Sequence, residues 1–84
     1  MKELIILGST GSIGVQTLDI VRRNPERFSV TSLVAHSRWQ ELASQAREFG
    51  VERVVIGDER HYEALKSALA DTSIDVAAGS DAII

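Results

Sequence analysis

A glycine-rich segment near the N-terminus places the strongest constraint on how this chain can fold. The segment LIILGSTGSIG, residues 4–14, begins with four large apolar residues and continues with three glycines and three hydroxyl side chains. A short, wholly apolar run is typical of a strand that is covered on both faces of a parallel sheet. Residues 12–23 then show helical periodicity, so the glycines connect a predicted strand to a predicted helix.

The first predicted helix, residues 12–23, ends before Pro25, because a proline disfavours helical backbone at the residue that precedes it. Four side chains recur near helical spacing along one side, and we expect this side to pack against the sheet. These side chains are Ile13, Thr17, Ile20 and Val21.

The alternation of apolar runs and helical periods continues along the chain. Three more strands are predicted, at residues 28–35, 53–56 and 75–78. The helix after the second strand ends at Gly50, which supplies a left-handed stop, and Asp58 is placed to cap the next helix. Ser80 resembles the N-cap of one further helix.

Parallel strands need crossover connections, and these connections are right-handed. The alternation therefore predicts an α/β fold, a Rossmann-like open parallel sheet with helices on both faces and strand order 3-2-1-4. A sheet that ends in a strand and one turn of helix leaves an edge uncovered. We therefore expect residues 1–84 to be an apparently truncated, N-terminal part of a larger domain.

Composition argues against several classes of protein. The chain has 84 residues, a formal net charge of −3 and no cysteine. The charge gives no reason to expect nucleic acid, whose binding proteins are usually basic on one face. No disulfide framework is possible, and no apolar run approaches the ~20 residues of a membrane span. We therefore expect a cytoplasmic protein with no nucleic-acid or membrane partner.

The glycine-rich segment lies at the carboxyl end of a strand and the start of a helix, where open α/β sheets bind ligands. Unpaired N–H groups and a partial positive charge at a helix N-terminus attract phosphate. Gly8 would permit a tight turn, Gly11 the approach of a pyrophosphate, and Gly14 close packing of the helix on the sheet. The predicted phosphate contacts are the amides of Thr10, Gly11, Ser12 and Ile13.

The spacing Gly-x-x-Gly-x-x-Gly differs from the tighter Gly-x-Gly-x-x-Gly, so the motif is informative mainly through its context. A strand before it, a helix after it and a second strand that ends about 20 residues later all favour nucleotide binding. The alternative is a strand–helix connection that uses its glycines for steric reasons alone.

The residues that follow the second strand are His36, Ser37 and Arg38. An NAD-binding site usually has an acid here, which would repel a 2′-phosphate, whereas Ser37 and Arg38 would bind one. The segment therefore predicts NADP rather than NAD. Two alternatives stay open. Ser37 also fits a capping box with Gln40, and His36 is either a neighbour of the cofactor or a simple exposed loop residue.

No catalytic and no metal-binding residue is predicted in this chain. Its acidic residues are spread over different helices and turns, and no nucleophile is paired with a base. The sequence therefore indicates a binding apparatus without a catalytic one.

The segments ILGSTGSIG and TLDIVRRNPERF resemble the start of 1-deoxy-D-xylulose 5-phosphate reductoisomerase. Looser similarity continues through TSLVAHS, VVIGDE and AAGSDA, so the resemblance extends over nearly the whole chain. It covers only an N-terminal portion of such an enzyme. The resemblance implies that residues 1–84 are the N-terminal part of an NADP-binding Rossmann domain, with the catalytic and C-terminal domains absent.

The resemblance also implies an NADPH-dependent oxidoreductase of non-mevalonate isoprenoid biosynthesis. Such enzymes convert 1-deoxy-D-xylulose 5-phosphate to 2-C-methyl-D-erythritol 4-phosphate, use Mg²⁺ or Mn²⁺ bound by a later domain, and are homodimers. Many relatives have a glycine, a basic residue and an asparagine where this chain has His36, Ser37 and Arg38. The chain alone is expected to be inactive. The family's NADPH contacts correspond to Thr10, Gly11, Ser12 and Ile13.

Two other interpretations stay open from the residues alone. The chain could be the cofactor domain of another NADP enzyme, of the aspartate-semialdehyde dehydrogenase-like or extended short-chain type. It could also be a non-catalytic nucleotide-sensing module. Residues after Ile84 would distinguish these: clustered acids for the reductoisomerase, a Cys nucleophile or a Tyr-x-x-x-Lys pair for the dehydrogenases, and neither for the module.

Overall fold

The computed structural model describes residues 2–79, which form a four-stranded sheet in which neighbouring strands are parallel. The predicted alternation of strands and helices is confirmed, and the helix predicted after Ser80 lies outside the described residues. The strands are β1 (Lys2–Leu7), β2 (Phe28–Ala35), β3 (Arg53–Ile56) and β4 (Asp75–Ala78). The helices are α1 (Ser12–Arg23), α2 (Trp39–Phe49) and α3 (Tyr62–Ala68), and a 3₁₀ turn at Glu59–His61 precedes α3.

The strand order is β1-β2-β3-β4, so the predicted order 3-2-1-4 is wrong for these strands. The prediction placed β4 beside β1, on the side away from β2. Instead Val54 of β3 pairs with Val76 of β4, and α3 packs beside α2. Each connection therefore moves the chain by one strand in the same direction. Right-handed connections of this kind place successive helices on the same face of the sheet.

The described helices cover one face of the sheet, where the prediction distributed helices over both. Ile6, Leu33 and Val54 lie in one row across three strands and are buried in a single core. On the opposite face, Ile5 and Leu7 are 65% and 68% exposed. The core of the described residues therefore lies between the sheet and one layer of helices. The helices contribute Leu18, Val21, Leu42, Ala43, Ala46 and Leu65 to it, and Leu69, directly after α3, is also part of it.

The side of α1 that packs on the sheet differs in part from the predicted side: Val21 is buried as predicted, but Ile13 and Ile20 are not. Gly14, Leu18 and Val21 are buried, whereas Ile13 and Ile20 are 80% and 55% exposed. The cause is a close contact at Gly14, where a Cβ atom would lie 2.2 Å from a backbone oxygen of the preceding loop. This contact sets the rotation of α1 about its axis, so the residues four and seven positions later face the sheet.

The helix ends follow the predicted signals in part. Gly50 follows α2 in the predicted left-handed conformation, with a φ of 60°. Asp58 accepts a hydrogen bond from the amide of Arg60 at 3.0 Å, but it caps the 3₁₀ turn, and α3 begins only at Tyr62. No helix within residues 2–79 is long and apolar enough to cross a membrane.

The assigned face of α1 can be tested with two substitutions on the same helix. Leu18→Ala should lower the free energy of unfolding by about 2–5 kcal/mol, because it leaves a cavity in the core. Ile20→Ala should lower it by less than about 1 kcal/mol, because Ile20 is more than half exposed. Urea unfolding followed by circular dichroism measures both values. Equal losses would contradict the assigned face.

Candidate functional site

A tight turn at Gly8 takes the chain from β1 into the glycine-rich loop. Gly8 has a φ of +70°, which glycine adopts without a steric penalty, as its predicted role requires. The amides of Gly8 and Ser9 both donate to the carbonyl oxygen of Val34 on β2, at 2.8 and 3.0 Å. The amide of Gly11 donates to the carbonyl oxygen of Gly8 at 3.0 Å. These bonds hold the loop against the carboxyl end of the sheet.

The structure gives a packing reason for glycine at position 14 but not at position 11. A Cβ atom at Gly14 would lie 2.2 Å from the carbonyl oxygen of Gly8 and 2.7 Å from the Cα of Ser9. Only glycine therefore allows α1 to approach the loop this closely. A Cβ atom at Gly11 would meet that same oxygen at 3.4 Å, a distance that atoms in van der Waals contact tolerate. Packing within the described residues explains Gly14 and does not explain Gly11.

The N-terminus of α1 presents a group of amides without acceptors. Its first hydrogen bond runs from the amide of Val15 to the carbonyl oxygen of Gly11, at 2.9 Å. No side chain caps the helix, and its first turn holds no acidic residue. A helix end of this kind attracts an anion. Within residues 2–79, the amides that find no acceptor here are those of Thr10, Ser12, Ile13 and Gly14.

An open cleft of about 640 Å³ lies between the glycine-rich loop and the end of β2. The cleft brings the predicted residues of the loop together with those predicted after β2. Gly8 and Gly14 shape the loop instead of lining the cleft, and the side chain of Ile13 points away to solvent. The lining residues are Thr10, Gly11, Ser12, Val15, Gln16, His36, Ser37 and Arg38.

Val15 and Gln16 line the cleft although neither was predicted as a site residue. Ser12 and Gln16 are four positions apart on α1 and therefore share a face of the helix. This spacing is the sequence signal that could have identified Gln16. Val15 extends the wall with apolar surface, and it is 49% exposed in the described residues.

The capping box of Ser37 and Gln40, left open as an alternative, does not form. Arg38 occupies the N-cap position of α2, and no side chain of the described residues caps that helix. The amide of Trp39 donates instead to the carbonyl oxygen of Ser37 at 2.8 Å, so the chain is still turning where a capping box would require the helix to begin. The Ser37 side chain consequently has no helix-capping role and lines the cleft.

Arg38 contributes a positive charge to the cleft. Its guanidinium lies 3.8 Å from the carboxylate of Glu41, and both side chains are more than half exposed. Exposed pairs at this distance contribute little stability, so the guanidinium can exchange this partner for an anion at low cost. Trp39, beside it, packs against the core instead of lining the cleft.

His36 packs over a glycine at the end of β3. A Cβ atom at Gly57 would lie 2.8 Å from the Nδ1 atom of His36, so the glycine makes room for the imidazole. The carbonyl oxygen of His36 accepts a hydrogen bond from the amide of Asp58 at 2.8 Å. Hydrogen bonds from the Arg60 guanidinium hold the pKa of the Asp58 carboxyl well below its usual range. That carboxylate is therefore engaged by Arg60, and no acid lines the cleft.

No group of three His, Asp or Glu side chains within residues 2–79 is arranged to hold a metal ion. Two salt bridges of this part of the chain link α2 to its neighbours, since Arg22 of α1 pairs with Glu48 and Arg47 pairs with Asp71 in the turn after α3. The chemistry available in the cleft is therefore the binding of a phosphorylated ligand by backbone amides, hydroxyls and one guanidinium.

A parallel sheet with a glycine turn at the carboxyl end of β1, and a cleft that reaches the end of β2, defines a dinucleotide-binding fold of the Rossmann-like class. The family model of 1-deoxy-D-xylulose 5-phosphate reductoisomerase matches residues 4–84, and the chain belongs to this family. This assignment excludes the aspartate-semialdehyde dehydrogenase-like and short-chain interpretations.

The relatives named 1-deoxy-D-xylulose 5-phosphate reductoisomerase are several times longer than this chain. The protein from Desulfitobacterium hafniense (strain DSM 10664 / DCB-2) is 48% identical over 84 residues, which are 100% of this chain and 22% of the relative. The protein from Agrobacterium fabrum (strain C58 / ATCC 33970) is 54% identical over 80 residues, 93% of this chain and 20% of the relative. The chain therefore spans about one fifth of the length of these relatives.

Solved structures of the family superimpose closely on the chain. The reductoisomerase from Zymomonas mobilis in complex with NADPH matches with a TM-score of 0.94 and 43% identity, over 98% of this chain and 22% of that one. A reductoisomerase structure with fosmidomycin and magnesium matches with a TM-score of 0.93 and 30% identity, over 99% and 21%. The four-stranded parallel arrangement is therefore that of the family.

The different roles of the two glycines can be tested by substitution. Gly14→Ala should unfold the chain or lower its melting temperature markedly, because its Cβ atom meets backbone that cannot yield. Gly11→Ala should leave the melting temperature within a few degrees of the wild type, because the space for a methyl group exists. Thermal unfolding followed by circular dichroism compares them. A Gly11→Ala variant as unstable as Gly14→Ala would contradict the geometry.

Proposed function

We propose that this chain is the NADPH-binding part of a 1-deoxy-D-xylulose 5-phosphate reductoisomerase. The observation that carries the proposal concerns residues 2–79: amides without acceptors at the start of α1 lie beside a cleft to which these residues contribute an arginine and no acid. The relative from Zymomonas mobilis, which superimposes on the chain, was solved with NADPH. The donors present fit that cofactor, because its pyrophosphate and 2′-phosphate are both anions.

The amides at the start of α1 would bind the pyrophosphate. Thr10, Ser12 and Ile13 offer N–H groups that find no acceptor in the described part of the chain, and Thr10 and Ser12 add hydroxyls. Gly11 fits this role because a side chain there would stand between the ligand and the amides, although packing within the chain would tolerate one. Gly8 and Gly14 act indirectly, by shaping the loop and seating α1.

The residues after β2 would bind the adenosine half and its 2′-phosphate. Within residues 2–79, the Ser37 hydroxyl caps no helix, and the Arg38 guanidinium makes one loose surface pair, with Glu41. His36 lines the same wall and packs against Gly57. An acid at this position would repel the 2′-phosphate, and none of the described residues that line the cleft is acidic. The site is therefore suited to NADPH in preference to NADH.

The role of the chain in the reaction would be to position the cofactor. NADPH supplies the hydride, and the protein holds its adenosine and pyrophosphate half so that the reactive ring reaches the substrate. We propose that the whole enzyme converts 1-deoxy-D-xylulose 5-phosphate to 2-C-methyl-D-erythritol 4-phosphate as a cytoplasmic homodimer. We assign its Mg²⁺ or Mn²⁺, and all its catalytic residues, to parts of the enzyme outside residues 1–84. The chain alone should show no turnover.

The preference for NADPH can be tested by titrating the chain with NADPH and NADH and following backbone amides by NMR. NADPH should shift the amides of Thr10 to Gly14 together with those of Ser37 and Arg38. NADH should bind about 10- to 100-fold more weakly, because hydrogen bonds to a charged group contribute about 1.5–3 kcal/mol. Equal affinities for the two cofactors would contradict the assignment of the 2′-phosphate site.

A matched pair of arginine variants separates the local contact from a general loss of charge. Arg38→Ala should reduce affinity for NADPH by about tenfold or more and leave affinity for NADH unchanged. Arg23→Ala removes the same charge at the far end of α1, where the side chain is 76% exposed, and should change neither affinity. If the two variants lose the same affinity for NADPH, Arg38 acts only through long-range charge, and its assigned contact with the 2′-phosphate is contradicted.

A further inference from the structure

We infer that Gln45 is a positioning residue for the phosphate-binding loop, through a hydrogen bond that sets the orientation of the Thr10 amide. The inference rests on the proposed binding of NADPH at this loop. Gln45 lies on α2, 36 positions from the loop in sequence. Its Nε2 atom donates to the carbonyl oxygen of Ser9 at 2.9 Å, in a partly buried contact. Helix α2 is thereby attached to the loop.

The hydrogen bond acts on the peptide unit that contains the Thr10 amide. The carbonyl of Ser9 and the N–H of Thr10 belong to one planar, trans peptide group and point in opposite directions. When Gln45 draws the carbonyl toward α2, the N–H of Thr10 must point away from α2. That amide is among those without an acceptor within residues 2–79, and Thr10 lines the cleft. Without the bond, this peptide could rotate and present an oxygen to the phosphate.

The other hydrogen bonds of the loop orient the peptides on either side of the Ser9–Thr10 peptide. The amide of Ser9 is bonded to Val34, and its residue is fully buried, so the preceding peptide is held in place. Its carbonyl accepts from Gln45 across the loop. The next hydrogen bond along the loop runs from the amide of Gly11 to the carbonyl oxygen of Gly8. The Ser9–Thr10 peptide lies between the bonded amides of Ser9 and Gly11, and within the described residues the bond from Gln45 orients it.

The polarity of Gln45 is hard to explain by stability alone. Its Oε1 atom and the hydroxyl of Ser9 are both buried and have no hydrogen-bond partner within residues 2–79. Buried polar atoms without partners cost about 1–3 kcal/mol each. A methionine at position 45 would occupy a similar volume and remove the unpartnered Oε1, but it would also leave the Ser9 carbonyl without the donor it has now. The two effects on stability oppose each other, so the distinctive contribution of the glutamine is the orientation of the Ser9–Thr10 peptide.

The test compares Gln45→Met with Ser44→Ala, which changes an exposed neighbour on the same helix. Gln45→Met should change the melting temperature by only a few degrees, because the loss of this hydrogen bond and the removal of the unpartnered Oε1 oppose each other. It should weaken NADPH binding by about tenfold, the effect of about 1.4 kcal/mol. Ser44→Ala should change neither quantity. A residue with a merely structural role would lose stability and affinity together. Gln45→Met with unchanged affinity would overturn the inference.

A second measurement needs no cofactor and so distinguishes the inference from the proposed function. In the ligand-free chain, Gln45→Met should shift or broaden the NMR signals of the Thr10 and Gly11 amides, and Ser44→Ala should not. If the wild-type chain fails to bind NADPH, the proposed function fails, and these signals still decide the role of Gln45. Unchanged Thr10 and Gly11 signals in Gln45→Met would overturn the inference.

A third variant, Gln45→Glu, tests the same hydrogen bond if the Gln45→Met protein does not fold. In Gln45→Glu, an ionised carboxylate would repel the carbonyl of Ser9, whereas the protonated form can donate to it. The Thr10 amide signal should therefore return toward its wild-type position as the pH is lowered far enough to protonate that carboxylate, whose ordinary pKa is about 4.3. A signal that tracks the wild type at every pH would contradict the inference.

Discussion

The contact between Gly14 and the loop that precedes it is the constraint on which the rest of the structure depends. A Cβ atom at Gly14 would lie 2.2 Å from the carbonyl oxygen of Gly8, so α1 lies directly against the backbone that leaves β1. This approach sets the rotation of α1, and with it the choice of Leu18 and Val21 as core residues. The same approach fixes the start of α1, whose neighbours Thr10, Gly11 and Ser12 line the cleft. Core packing and the proposed binding of the cofactor therefore depend on the same close contact.

The cleft depends on contacts between parts of the chain that are distant in sequence. The loop is bonded on one side to Val34 of β2 and on the other side to Gln45 of α2. His36 is seated on Gly57, which follows β3. Each wall of the site is therefore positioned by the strand or helix beside it. This arrangement suits the function proposed for the cleft, which is to hold a flexible dinucleotide in one geometry.

Local sequence signals were sufficient to predict the strands, the helices and the glycine-rich loop, because these features depend on residues that are neighbours in sequence. The positive φ of Gly8 and the left-handed stop at Gly50 follow from glycine itself. The predicted strand order was wrong. Whether β4 pairs with β1 or with β3 depends on where α3 packs, and no local sequence pattern encodes that contact. The capping box at Ser37, one of the two roles left open for this residue, does not form, because the turn after β2 continues to Arg38 and α2 begins at Trp39.

The sequence by itself determined the alternation of strands and helices, the glycine turn, the anion-attracting start of α1 and the basic residues after β2. These features follow from side-chain periodicity, backbone freedom and charge, which act over a few residues. Only the tertiary structure decided that the described helices share one face, that Ile13 and Ile20 stay exposed, and that Gln45 reaches Ser9. Those outcomes depend on how α1, α2 and α3 settle against the sheet. Such packing is decided by shape across distant parts of the chain, so a local sequence pattern cannot specify it.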